Sequence, residues 1–149
     1  MIEHLKYEDM IGAKEFAESI HRDSIWGYMP FDYECWDKYC KSLIDNPKNG
    51  FILVYKVDKE IVGTIVAGIQ QFPFNQETFS SVYIFYIKKD HRGSKIVVDL
   101  IDRYIEEAKK YNVREIHIGT NAPTDREKVE KLYEWYGFTN SGSDWTFTQ

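Results

Sequence analysis

The stretch from Thr78 to Thr120 constrains the fold more than any other part of the chain. It opens with "TFSSVYIFYIKK", an apolar run rich in β-branched and aromatic residues that predicts a strand. After the turn "DHRGSK" the apolar spacing changes, falling at Ile96, Val97, Leu100, Ile101, Tyr104, Ile105 and Ala108. Asp99, Asp102, Arg103, Glu106, Glu107 and Lys110 fill the gaps. That is one stripe on a long amphipathic helix. "REIHIGT" (Arg114 to Thr120) then returns as a strand. A strand, a helix and a strand in this order predict a parallel pair with a right-handed crossover, and so a sheet with a helix packed on its face.

The rest of the chain supplies partners for that unit. A short apolar opening at Ile2 to Leu5 precedes a predicted helix over residues 8–22, which ends near the aromatic turn "SIWGYMPFDY". A second helix is expected from Tyr33 to Ile44, with Trp36, Tyr39, Cys40 and Leu43 on one face and "DNPKNG" as its stop. "FILVYKV" and "IVGTIVAGIQ" read as a hairpin joined across Asp58 to Glu60, and the strand from Thr78 reads as central in the sheet. Thr124 or Asp125 is expected to cap a last helix, Glu127 completing a capping box with Thr124, and Val129, Leu132, Tyr133 and Tyr136 lying inward. Gly137 ends it, and "SDWTFTQ" alternates as a final edge strand. No repeat, low-complexity tract or linker interrupts the pattern, so residues 1–149 are expected to form one α/β domain with a mixed sheet flanked by helices.

Composition removes several function classes. With 149 residues, 43% hydrophobic and 16% aromatic, the chain can bury a sizeable core. The 19 basic residues are scattered among 24 acidic ones for a net charge of −5, so no basic stripe awaits nucleic acid. "MIEHLKYEDM" carries charges where a signal peptide needs an apolar core, and no apolar run approaches the roughly 18 residues of a membrane span. A soluble, cytoplasmic protein with no membrane partner is expected. Cys35 and Cys40, five apart in one helix, point to different faces and have no histidine pair nearby, so two reduced thiols and no metal are expected. The turn "KKDHRGSK" lacks the first glycine of a Walker-type nucleotide loop and reverses its Lys-Ser order.

Two segments connect this order of elements to a known family. Arg92, Gly93, Ser94, Lys95, Ile96 and Val97 occupy the six places of a phosphate loop written Arg/Gln-x-x-Gly-x-Gly/Ala, and "LYEWYGF" (Leu132 to Phe138) matches Leu-Tyr-x-x-x-Gly-Phe at every fixed place. With two helices before the first hairpin, the whole chain resembles the GNAT superfamily of acyl-coenzyme A dependent N-acyltransferases. The phosphate-loop match is partial, since Lys95 stands where the family has glycine and Val97 where it has glycine or alanine. Glycine suits that place because a backbone without Cβ lets a pyrophosphate approach amides at a helix N-terminus.

The resemblance implies transfer of an acetyl group from acetyl-coenzyme A to a primary amine by direct attack in a ternary complex. It implies coenzyme contacts at Phe85, Tyr86 and Ile87 through their backbone, at residues 92–97 through the loop, and at Asn121. It implies Tyr133 as the acid for the leaving thiolate, although Tyr133 also lies on the apolar stripe of the last helix. A tyrosine near pKa 10 protonating a thiol near 8.5 is uphill by about 2 kcal/mol, which a desolvated site can offset. The base stays open among Glu77, His117, Asp32 and a water chain, because "SSVYIFYIKK" carries no glutamate. Trp26, Tyr28, Phe31 and Asp32 are expected on the acceptor side, with Asp32, Glu34 or Asp37 attracting a cationic amine. The partner is then an amine-bearing small molecule, peptide or protein, with homodimerisation left open. Two other readings stand beside this one: a coenzyme A binding module without turnover, and a partner-binding protein that keeps only the fold.

Overall fold

The computed structural model describes residues 1–93, 95–119 and 125–149. Its hairpin forms where expected, since Asp58 and Lys59 both adopt left-handed φ values of 50° and 70°. Two successive residues of that kind make a tight turn whose twist matches the strands it joins. The hairpin links β2 (Gly50–Val57) to β3 (Glu60–Gln71). With β1 (Ile2–His4), β4 (Thr78–Ile87) and β5 (Glu115–His117) they form one five-stranded sheet in sequential order. The first three junctions are antiparallel, and β4 runs parallel to β5 after the crossover helix α3 (Lys95–Lys109).

Alternation along β2 gives the sheet two covered faces. Phe51 and Leu53 point to the side where Ile96, Leu100, Tyr104 and Ala108 of α3 pack. Ile52 and Val54 point to the other, against Leu5 and Met10 and against Cys40 and Leu43 of α2 (Tyr33–Asp45). The Tyr104 hydroxyl, fully buried, donates to the His117 carbonyl at 2.9 Å and lies 3.1 Å from Ser80 Oγ. One phenol thereby ties α3 beneath the parallel pair. Cys40 is buried in the core while Cys35 is exposed.

Three expectations need correction. The helix expected over 8–22 is divided: a short 3-10 turn spans Tyr7–Met10 and α1 covers only Lys14–Asp23. Gly12 lies between them at φ 84°, which no helix accommodates. β4 is not the middle strand but the fourth of five. The terminal strand "SDWTFTQ" is absent: residues 139–149 form neither helix nor strand, and Trp145 and Phe147 are 93% and 91% exposed. Alternation there has no apolar surface to face, and β5, three residues long, offers little edge to pair with.

The last helix, α4 (Arg126–Trp135), is capped by Asp125, whose side chain accepts from the Lys128 amide at 3.3 Å. The capping box proposed through Thr124 lies outside the described residues. Tyr136 anchors α4 to α3, donating to Asp102 Oδ1 at 2.8 Å. No helix among the described residues is long and apolar enough to cross a membrane.

Candidate functional site

β4 is paired unequally on its two edges. β3 accompanies it from Thr78 to Ile87, but β5 pairs only with Phe79, Ser80 and Ser81. Beyond those three rungs no described strand covers the second edge, and residues 83–87 line a cleft of about 760 Å³. Backbone N–H and C=O groups on such an edge are available to a ligand that can act as a strand. A register shift between Val66 and Ala67 leaves Tyr83 without a partner on β3, a bulge that re-aims it. Its ring crosses over Gly68, where an added Cβ would come within 2.5 Å of the Tyr83 hydroxyl.

Phe85, Tyr86 and Ile87 lie on this open edge and line the cleft. The turn that follows behaves less simply. Gly93 lines the cleft at φ 73° with nothing within 4 Å of an added Cβ, so the backbone there is open to approach. Val97 lines the cleft as well. Ile96, by contrast, is 7% exposed and belongs to the core beneath the sheet, so its side chain faces away from any ligand. Lys95 is turned along α3 toward Asp99 at 3.6 Å, its side chain 85% exposed. Arg92 is drawn inward: its Nε donates to the Ile87 carbonyl at 2.9 Å, its cation lies 5.6 Å from the Tyr86 ring centre, and Asp23 is 3.8 Å away. Ser94 and Asn121 lie outside the described residues.

α4 carries Tyr133 into the cleft from the opposite wall, with Val129 and Leu132 beside it. The Tyr133 hydroxyl donates to the Gly119 carbonyl at 2.9 Å, and burial pushes its pKa well above the ordinary tyrosine value. At neutral pH the hydroxyl holds its proton.

The third wall is aromatic. Trp26 and Phe31, two of the residues expected on the acceptor side, line the cleft together with Trp36, Tyr39 and Tyr83. Tyr28 does not line it, and is 68% exposed. Asp32 does, but its oxygens accept from the Cys35 amide at 3.2 Å and the Cys35 thiol at 3.3 Å, capping α2. Those bonds hold Asp32 below the usual carboxylate range and push the Cys35 thiol up. Asp37 is paired with Lys41 at 2.7 Å, and neither it nor Glu34 lines the cleft. The other two base candidates also stand elsewhere. Glu77 is in the β3–β4 turn, and His117 stacks on Phe79 and meets Glu115 at 2.7 Å.

Two cleft residues escaped the sequence reading, both at the end of α1. Asp23 accepts from the Tyr86 hydroxyl at 2.9 Å and lies 3.3 Å from Lys89. Burial would raise its pKa, yet the bonds from Tyr86 and Lys89 outweigh it and keep the carboxyl below the usual range. His21 packs on Phe31 with ring centres 5.4 Å apart, and its Nε2 is buried without a hydrogen-bond partner. An unsatisfied buried polar atom costs roughly 1–3 kcal/mol, so this one calls for an explanation. Neither residue stands out in sequence, because the last turn of a helix often carries such residues. No group of three or more His, Cys, Asp or Glu side chains among the described residues could hold a metal ion.

The chain and its fold are matched by known proteins. The model of the acetyltransferase (GNAT) family matches residues 14–138. No curated protein sequence matches the chain. Among solved structures, a ribosomal-protein-alanine N-acetyltransferase from Brucella melitensis biovar Abortus is similar at 23% identity with a TM-score of 0.70, over 100% of this chain and 99% of that one. A transcriptional regulator from Bacillus halodurans reaches 0.77 at 19% identity, over 100% and 99%. An aminoglycoside antibiotic 6'-N-acetyltransferase from Acinetobacter haemolyticus reaches 0.70 at 14%, over 100% and 97%. At such identities these likenesses establish the fold and leave the acceptor undecided. The family match spans most of the chain, from α1 through the Gly-Phe that closes α4, and the chain belongs to the GNAT acetyltransferase family.

Proposed function

We propose that the chain transfers an acetyl group from acetyl-coenzyme A to a primary amine by direct attack in a ternary complex. The observation that carries this is the placement, around one cleft, of the open edge of β4, the left-handed turn at Gly93 and the buried hydroxyl of Tyr133. The residues present fit the coenzyme. Gly93 and the first turn of α3 would hold the pyrophosphate, where a helix N-terminus favours anions. Phe85, Tyr86 and Ile87 would meet the pantetheine amides through their backbone. Bound acetyl-coenzyme A supplies an activated acyl thioester.

The chain's own side chains then have two proton tasks. Tyr133, whose hydroxyl donates to the Gly119 carbonyl, would be the group to protonate the leaving thiolate. Burial weakens it as an acid, but the same desolvation also penalises a bare thiolate. His21 lines the cleft and has a buried Nε2 without a hydrogen-bond partner among the described residues; it is the residue we assign to receive the amine's proton. Cys35 is the cleft's thiol among the described residues, and its bond to Asp32 disfavours the thiolate. That supports direct attack over an acylated cysteine.

One observation favours the reading of a protein that keeps only the fold. Arg92 and Lys95, the loop's cations, are both engaged with carboxylates rather than extended toward the turn. A melting experiment separates the readings, since a ligand that binds only the native state stabilises it by about 2.7 kcal/mol at 100 times Kd. Stabilisation by coenzyme A together with thiol release across an amine panel is the expected result. Stabilisation without thiol release would support the binding module, and no stabilisation at millimolar ligand would leave only the fold.

A further inference from the structure

The acceptor wall carries a chemical signature that the family match does not decide. Trp26, Phe31, Trp36, Tyr39 and Tyr83 line it, and Trp26, Tyr39 and Tyr83 remain between 36% and 39% exposed. Large rings that stay half open inside a cleft offer faces to a flat apolar partner. Trp36 and Tyr39 already lie 6.3 Å apart at a tilt of 48°, and Phe31 is tilted 39° from the His21 ring.

The charged groups argue in the same direction. Three carboxylates line the cleft among the described residues, and each has other work. Asp23 is surrounded by Tyr86, Lys89, Arg22 and Arg92, at 2.9, 3.3, 3.7 and 3.8 Å. Asp32 caps α2 and accepts from Cys35. Asp125 caps α4 and lies 3.9 Å from Lys128 Nζ. A polyamine or an aminoglycoside carries several ammonium groups that must each find an anion once desolvated. Among the described residues this wall has one carboxylate without an ion pair, Asp32, too few for several ammonium groups. It does have His21, whose Nε2 is a buried ring nitrogen without a hydrogen-bond partner among the described residues, one polar group for one amine.

Resting on the transferase reading above, we infer that the acceptor is a small molecule bearing one primary amine on a flat aromatic body, held by the Trp26–Phe31–Trp36 wall with its nitrogen toward His21. The polycationic acceptor of the aminoglycoside-modifying neighbour is disfavoured despite the shared fold.

The test uses the full chain. Coenzyme A binding is first measured by calorimetry, because its failure would strike the transferase reading on which this inference rests, whereas the acceptor profile strikes the inference alone. Thiol release from acetyl-coenzyme A is then followed with phenethylamine, tryptamine, butylamine, spermidine, kanamycin and an alanine-initiated peptide. An arylalkylamine should exceed spermidine and kanamycin at least thirtyfold in kcat/KM. Trp26→Ala should raise its KM at least tenfold with unchanged coenzyme A affinity, and Phe31→Ala serves as the second variant should the first fold poorly. His21→Leu should lower kcat for every arylalkylamine as well as raise its KM. Preference for kanamycin, spermidine or the peptide would overturn the inference. So would coenzyme A binding with no arylalkylamine turned over, or an unchanged KM in both folded wall variants.

Discussion

Tyr133 is asked to act as an acid from a position that weakens it as one. Burial raises its pKa, and its hydroxyl already donates a hydrogen bond to the Gly119 carbonyl. The consequence is a hydroxyl protonated throughout the neutral range, so the pH profile of kcat should show no downturn from this group until well above the ordinary tyrosine value near 10. Tyr133→Phe keeps the ring against Phe138 and should leave coenzyme A affinity nearly unchanged. Its kcat should fall by about 10²- to 10⁴-fold, measured with any turned-over amine; a parent-like rate would make Tyr133 a core residue only. Gly93 separates backbone from bulk. Since an added Cβ meets nothing, Gly93→Val acts through its φ of 73° and should weaken coenzyme A binding at least tenfold by calorimetry, whereas Gly93→Asn, which enters that region readily, should be milder. Both residues were legible in the sequence because each sits in a short contiguous pattern. Asp23 and His21 were not: the Tyr86–Asp23 bond joins residues 63 apart, and only the packing of α1 across β4 creates it.

Elements were read well where periodicity alone decides them and poorly where a neighbour decides. α2, α3, the hairpin and β4 follow their apolar spacing to within a residue or two at each end. The helix expected over 8–22 has adequate spacing on both sides of Gly12, and only the local backbone divides it. "SDWTFTQ" has strand-like alternation but no sheet edge to join. The opening of β4 toward the cleft was likewise invisible, because it depends on β5 being three residues long. At this scale Asp32 is testable, since one side chain both starts α2 and restrains a thiol. Asp32→Ala removes the cap and should lower Tm by a few degrees. It should also let Cys35, whose pKa is raised first by its bond to Asp32, return toward an ordinary thiol and react faster with iodoacetamide near neutral pH. An unaltered alkylation rate would show that Asp32 does not govern the thiol.

For the whole molecule, the buried titratable groups set the pH range in which the fold persists. Burial pushes Tyr39, Tyr104 and Cys40 up to about 12, from ordinary values near 10 for the phenols and near 9 for the thiol. A group whose pKa is raised by folding stabilises the native state fully below its unfolded value, and that contribution disappears as pH climbs toward the folded one. Stability should therefore hold to about pH 9 and fall steeply between there and about 12. On the acid side the sign reverses. Burial raises Asp23 and Glu107, but bonds from Tyr86 and Lys89 and from Lys110 and His4 prevail and keep both below the usual range. Their contribution is present above the ordinary carboxylate value near 4 and is lost as pH drops through the folded values. Tyr104 isolates the alkaline limb. A rise from 10 to about 12 corresponds to ~3 kcal/mol lost once the phenol ionises, more than a net hydrogen bond is worth. Tyr104→Phe forfeits the bonds to His117 and Ser80 and should lower Tm at pH 7. Because the variant has no buried phenol to ionise under α3, its stability should also fall less between pH 10 and 12, so the two denaturant-melting curves converge. Parallel curves across that range would show that Tyr104 does not limit the fold at high pH.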